Sequence, residues 1–319
     1  MINGVINVYK EKGYTSFDVV AKLRGILHQK KIGHTGTLDP DAEGVLPVCL
    51  GKATRLVDML TSETKTYEAV LLLGVDTDTQ DVSGSVLSSH PVTCTQEELG
   101  DCLRSFAGDQ LQIPPMYSAL KVHGRRLYEI AREGKTVERE ARPVHFYEIK
   151  MLSCQLPKAV IRVTCSRGTY IRTLCHDIGE RLGCGGCMEA LTRTRVGMFC
   201  MEDALHLDEI RQKTEDGRLG DILIPVDQLF AIPSLETLPQ ADSAAHNGNR
   251  ISASCCREKK AEHLPEISGS SAGISFGSSG DTTEKVKIFD SEGAFVGIFE
   301  RDDAGSAWKP VRMFYDPGV

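Results

Sequence analysis

Residues 33–48, reading GHTGTLDPDAEGVLPV, hold the densest set of groups in the chain that could do chemistry. Gly33 and Gly36 bracket His34 and Thr35, so the backbone there can approach a ligand closely. Asp39 precedes Pro40, and a residue before proline is steered out of the helical region into an extended or turn geometry. A carboxylate held that way can be aimed at a reacting atom. An Asp-Pro pair is also an ordinary turn initiator, and spacing alone leaves both roles open. The cysteines offer less. Cys184 and Cys187 form a lone C-x-x-C, and Cys255 and Cys256 are adjacent. A zinc site would need a second pair or a histidine pair at ligand spacing, so free thiols and no metal are expected.

The elements that must position this loop can be read from periodicity. Residues 2–8 form an apolar run that predicts a strand. Thr15 and Ser16 are candidate N-caps for a helix in which Phe17, Val20, Leu23 and Leu27 recur at helical spacing. Residues 67–73 are apolar on both faces, which predicts an interior strand. Residues 96–106 predict an amphipathic helix, 144–151 and 159–165 two strands, and 170–182 a helix with Ile171, Leu174, Ile178 and Leu182 on one stripe. The absence of strict strand–helix alternation points to an α+β fold. A boundary is expected near residue 230, giving a catalytic domain over 1–230 and a small β-rich module over 231–319. Within that module, residues 265–283 are rich in Ser and Gly and are expected to be a flexible insert. Residues 285–289 and 295–299 predict a hairpin, and 311–315 a last strand.

The chain has 319 residues, of which 41% are hydrophobic and 25% charged, an ordinary globular composition. No apolar run of about 20 residues reads as a membrane span, and the N-terminus does not read as a secretory signal. Eleven scattered cysteines favour the reducing cytoplasm. The net charge of −7 argues against indiscriminate nucleic-acid binding, but basic residues cluster locally. Residues 22–31 carry four basic residues and no acid, residues 121–142 seven basic against four acidic, and residues 162–195 six against three. No Rossmann or P-loop fingerprint supports a small-molecule nucleotide enzyme.

At this point the sequence resembles the TruB-type tRNA pseudouridine synthases. The resemblance is carried by residues 33–48 together with GKATR at 51–55, Lys65 and Tyr67, GVDTDT at 74–79 with Asp81 and Gly84, PPMYSALKVHG at 114–124, Arg142-Pro143, CSRGTYIR at 165–172 and LTRTRVG at 191–197. These segments are collinear over roughly residues 4–230. The resemblance implies a mixed, mainly antiparallel central sheet flanked by helices, a basic thumb-like insertion at about 116–142, and a C-terminal PUA-like RNA-binding module. It implies isomerisation of the T-loop uridine (U55) of tRNA to pseudouridine by a monomer, with no cofactor, metal or membrane. It assigns Asp39 as the catalytic carboxylate and Arg172 as the guanidinium that keeps it ionised. Tyr67 receives the flipped base and is a candidate to help remove its C5 proton. His34 fills the opened loop, Tyr170 and Leu191 line the pocket, and Lys121 and Arg193 contact the RNA.

Two departures matter. Residues 9–13 read YKEKG where the family pattern has D-K-P-x-G, which leaves the shape of that loop open. Asp41 and Glu43 add acid beside Asp39, which would raise its pKa. Two alternative functions stand beside isomerisation: a non-catalytic RNA-binding or tRNA-folding chaperone on the same scaffold, and pseudouridine synthesis in another RNA.

Overall fold

The computed structural model of the protein describes residues 1–122, 124–259 and 283–315. The expected Ser/Gly-rich insert lies, apart from Thr283, outside the described residues. In chain order the first part runs β1 (Gly4–Lys10), α1 (Ser16–Ile26), β2 (Ile32–His34), β3 (Glu43–Leu50), α2 (Val57–Ser62), β4 (Lys65–Leu73), β5 (Val75–Thr77), β6 (Val86–Ser89), α3 (Gln96–Ser105) and β7 (Gly108–Gln112). It continues with β8 (Lys121–Val122), β9 (Arg125–Arg126), α4 (Leu127–Arg132), β10 (Arg142–Gln155), β11 (Lys158–Cys165), α5 (Ile171–Leu182), β12 (Gly186–Val196), β13 (Phe199–Cys200) and α6 (Leu207–Glu215).

A nine-stranded sheet forms the body, with the path β1-β3-β12-β4-β11-β10-β7 and β2 and β13 attached to β3 and β12. Its pairs are antiparallel except β12 with β3. The two-sided apolar character of residues 67–73 is explained by their place in β4, at the middle of this path between β12 and β11. Helices start where the capping chemistry dictates. Thr15 Oγ1 accepts the Asp18 N–H at 3.0 Å while Asp18 accepts the Thr15 N–H at 2.8 Å, and Thr95 with Glu98 repeats the arrangement for α3. Helix α5 lies close against the start of β12. A Cβ on Gly179 would stand 2.1 Å from the Gly186 nitrogen, so only glycine permits that approach.

The second sheet begins at residue 234, close to the expected boundary. Its strands are β14 (Ser234–Thr237), β15 (Ile251–Ser252), β16 (Cys256–Glu258), β17 (Lys285–Phe289), β18 (Phe295–Arg301) and β19 (Ala307–Met313), with α7 (Pro239–His246) beside them. The expected hairpin is β17–β18. The last strand starts earlier than expected, at Ala307. The two sheets share a core. Ile298 and Phe314 are buried in one cluster with Val5, Leu56, Leu60 and Phe230. Around it, Lys52 and Arg55 donate to the carbonyls of Tyr315 and Met313, and Arg312 donates to the carbonyl of Arg55. Lys287 Nζ donates to Phe230 O at 3.1 Å.

Removing residues 240–319 would therefore uncover Val5, Leu56 and Phe230. The truncated chain is expected to unfold at a distinctly lower urea concentration than the full chain, and Phe314→Ala alone should cost about 3 kcal/mol. An unchanged urea midpoint in both would show that the sheets are energetically separate.

Candidate active site

The loop bearing Asp39 joins β2 to β3 and is held from three sides. The Thr35 N–H donates to Pro47 O at 3.1 Å and the Ala42 N–H to Asp39 O at 3.1 Å, closing a turn over Asp39 itself. From the N-terminal side, the Gly13 N–H donates to Pro40 O at 2.8 Å, and Ser16 Oγ accepts the Leu38 N–H at 2.9 Å. Lys10 is wholly buried and its ammonium donates to the carbonyls of Glu11, Pro40 and Ala42. The YKEKG departure thus leaves a segment still bonded to Pro40 and Ala42, just beyond Asp39. Burial pushes the Lys10 pKa down to about 8, since a desolvated ammonium loses hydration that carbonyl dipoles only partly replace.

The floor of the loop is Arg193. It was expected at the RNA, but its side chain is entirely buried. Its Nε donates to Val45 O at 2.7 Å, its Nη2 to Gly36 O at 3.2 Å, and its charge lies near the phenol of Tyr67, opposite it in the β12–β4 register. Gly44 lies against the Arg193 backbone, where a Cβ would meet its carbonyl oxygen at 2.2 Å. This crossing is the parallel β12–β3 contact, and it fixes the start of β3 just beyond Asp39.

Arg172 stands in the first turn of α5, buried, and reaches three other segments. Its Nε lies 3.1 Å from Asp39 Oδ2 and its Nη2 3.4 Å from Asp39 Oδ1, a two-point contact of the kind a planar guanidinium makes best. Its Nη1 lies 3.4 Å from Asp81 Oδ2 and donates to Thr79 O at 3.2 Å, and its Nη2 donates to Tyr117 O at 2.9 Å. The Asp39 side chain stays 43% exposed while that of Arg172 is 7% exposed, so the carboxylate faces outward from a buried cation. Burial raises the Asp39 pKa, Arg172 opposes it, and Asp81, ahead of Asp41, raises it further.

Tyr67 and Leu191 are nearly buried in one cluster with Leu38 and Ala42, directly under the loop. Burial pushes the Tyr67 phenol up to about 12, so it carries its proton at neutral pH. His34 is partly buried, and its Nδ1 has no hydrogen-bond partner among the described residues. Burial and the nearby Arg193 lower its pKa, favouring the neutral ring. Tyr170 occupies the cap position of α5 and is clamped by Gln112, which accepts its N–H at 2.8 Å and donates to its carbonyl at 3.0 Å. Lys121 is exposed on the β8–β9 hairpin, four residues beyond the Tyr117 carbonyl that Arg172 holds; no hydrogen bond joins it to the Asp39 group among the described residues. The structure therefore gathers Asp39, Arg172, Tyr67, Leu191 and Arg193 around one loop, and sets Lys121 apart.

Sequence reasoning missed Asp81, Gln112 and the buried Lys10 as parts of this arrangement. Asp81 had a signal, its place in the quoted 74–84 segment, but its role depends on a meeting of loops. Asp76, His176 and Glu180 also bring one ligand atom each within 4.8 Å of one another. There Asp76 already accepts the Gly186 N–H and the Ser88 hydroxyl, bracing β5 against β6 and the start of β12.

The sign of each neighbour's effect on Asp39 is testable. Arg172→Ala removes the charge that favours the carboxylate, so the acid limb of the pH–rate profile should move to higher pH. Asp81→Asn removes a like charge and should move it to lower pH. Coincident acid limbs in both variants and the unaltered protein would show that Asp39 ionisation does not control the rate.

Known proteins resemble this chain over most of its length. Residues 24–171 match the TruB family pseudouridylate synthase N-terminal domain, and residues 172–231 the tRNA pseudouridylate synthase B C-terminal domain. The chain is 47% identical to tRNA pseudouridine synthase B of Lachnoclostridium phytofermentans, covering 98% of this chain and 100% of that one. It is 43% identical to tRNA pseudouridine synthase B of Clostridium novyi, over 95% and 97% of the two chains. Among solved structures, a chain of a Cbf5-Nop10-Gar1 complex aligns with a TM-score of 0.69 at 27% identity, covering 99% of this chain and 86% of that one. A chain of an H/ACA RNP bound to a substrate RNA containing 2′-deoxyuridine gives 0.67 at 26%, covering 98% and 85%. With two family domains in tandem over residues 24–231 and near-full-length relatives, this chain belongs to the TruB family of pseudouridine synthases.

Proposed function

We propose that this protein isomerises a tRNA uridine to pseudouridine, specifically the T-loop uridine at position 55, acting as a monomer on the T-arm in the cytoplasm. The strongest support is the Asp39–Arg172 pair, a half-exposed carboxylate gripped from beneath by a buried guanidinium. The reaction breaks the bond from ribose C1′ to uracil N1, turns the base, and joins C1′ to C5, with the C5 proton lost and N1 protonated. It is redox-neutral and needs an ionised group able to attack C1′ or C6 or to take a ribose proton. In this reading Asp39 is that group and Arg172 favours its ionised form.

A uridine stacked in a loop must leave the stack to reach Asp39. The base would lie against Tyr67, whose protonated phenol suits a stacking surface, with Leu191 and Tyr170 completing the pocket and the neutral His34 ring filling the opened loop. Arg193 acts through Tyr67 and the loop carbonyls it holds. Residues 116–142, with Lys121, Arg125, Arg126 and Arg132 near the surface, serve as a clamp on the phosphate backbone that adds affinity and salt dependence more than sequence choice. The C-terminal sheet serves as a further RNA-binding surface.

The test is to incubate the protein with unmodified tRNA transcript and map pseudouridine by carbodiimide-dependent arrest of reverse transcription. A T-loop stop with the unaltered protein and none with Asp39→Ala, whose tRNA affinity is retained, is expected. Residual Asp39→Ala turnover above about one per cent would exclude an essential role for the carboxylate. Tight binding with no stop would favour the tRNA-folding reading.

A further inference from the structure

Helix α1 carries a group that the catalytic arrangement leaves unused. Phe17 is 62% exposed, in its first turn. Its neighbour Ser16 is buried and bonded through its hydroxyl to the backbone of Leu38, next to Asp39. An exposed phenylalanine therefore stands one residue from the anchor of the catalytic loop. Seven residues on, two helical turns and so on the same flank, Arg24 lays its guanidinium against the Phe17 ring at 5.7 Å from the centroid. The Arg24 Nε has no hydrogen-bond partner among the described residues. Beyond the helix, Lys30 and Lys31 are exposed and form no ion pair among the described residues.

The charge pattern indicates the occupant. Residues 19–38 contain four Lys or Arg and no acid, in a chain of net charge −7. Asp18, the acid in the first turn, is committed to the Thr15 cap. A stacking face backed by a guanidinium and followed by free ammonium groups suits a single strand of nucleic acid. There the base stacks on an aromatic ring and the backbone runs along the cations. We propose that the Phe17–Arg24 flank, continued by Lys30 and Lys31, is a second RNA-contact ledge. It takes one unpaired base of the tRNA and the phosphates next to it, outside the pocket of the reacting uridine. The proposal rests on the isomerase reading for its substrate, but not for its test.

Binding of unmodified tRNA transcript is measured directly, by fluorescence anisotropy, for the unaltered protein, Phe17→Ala, Phe17→Trp and the double variant Lys30→Ala/Lys31→Ala. Phe17→Ala should weaken binding about tenfold and Phe17→Trp should restore it. The double-lysine variant should flatten the dependence of log Kd on log salt by about two phosphate contacts. Because Phe17 is exposed, its alanine variant should keep the melting temperature of the unaltered protein, and in the product assay its loss should fall on KM. Phe17→Ala binding with unaltered affinity, or a double-lysine variant with an unaltered salt slope, would overturn the ledge. Product formed with a Phe17-independent Kd retires the ledge and keeps the isomerase. A Phe17-dependent Kd without product does the reverse.

Discussion

A guanidinium taken out of water must find acceptors for its charge and its five N–H groups. Arg172 finds them on three other parts of the chain: two oxygens of Asp39, one of Asp81 with the nearby carbonyl of Thr79, and the carbonyl of Tyr117. The loop before β3, the loop after β5, the root of the 116–142 segment and the first turn of α5 are thereby tied to one rigid plane. One cation faces two carboxylates, which keeps the site from being electrically neutral in itself. The surplus negative charge is offset from behind, by Lys10 and Arg193, whose charges rest mainly on backbone carbonyls. The site is thus layered, with acid at the mouth and cations beneath it. Asp39 can remain exposed to a substrate because its counter-charges are supplied from the protein side.

Local chemistry made much of the scaffold legible. The Thr15 and Thr95 caps, the interior strand at β4, the α5 stripe and the β17–β18 hairpin each follow from periodicity or side-chain-to-backbone bonding within a few residues. The Asp39 loop was legible for a different reason, since Gly36 opens a positive-φ conformation closed to most residues and Pro40 restricts Asp39 before it. Assigning Arg172 required the resemblance, because nothing local distinguishes an arginine in a first helical turn from a surface one.

The remainder depends on long-range geometry. Lys10 ends an apolar strand and would ordinarily reach solvent, yet it is buried because three loop carbonyls converge on it. Arg193 and Arg195 look equivalent in an alternating strand. The register shifts between them where β12 meets β4, and the burial of Arg193 follows from the crossing with β3 near Gly44. Asp81 lies 42 positions beyond Asp39 in the chain, and no spacing rule connects them. The C-terminal boundary was placed close to the start of the second sheet, but the shared apolar cluster was invisible, since contacts between Phe314 and the first strand have no signature in either segment.

That shared cluster has a mechanical consequence. Ile298 and Phe314 bury their side chains with Val5 and Leu56, and the Lys52, Arg55 and Arg312 bonds close around them. Two sheets joined in this way cannot swing on a tether, so the span from Asp39 to the outer strands of the second sheet is set by folding. An RNA touching both must already present its two features at that separation. For any ligand long enough to reach both, the folded chain acts as a caliper, presenting one fixed length and angle.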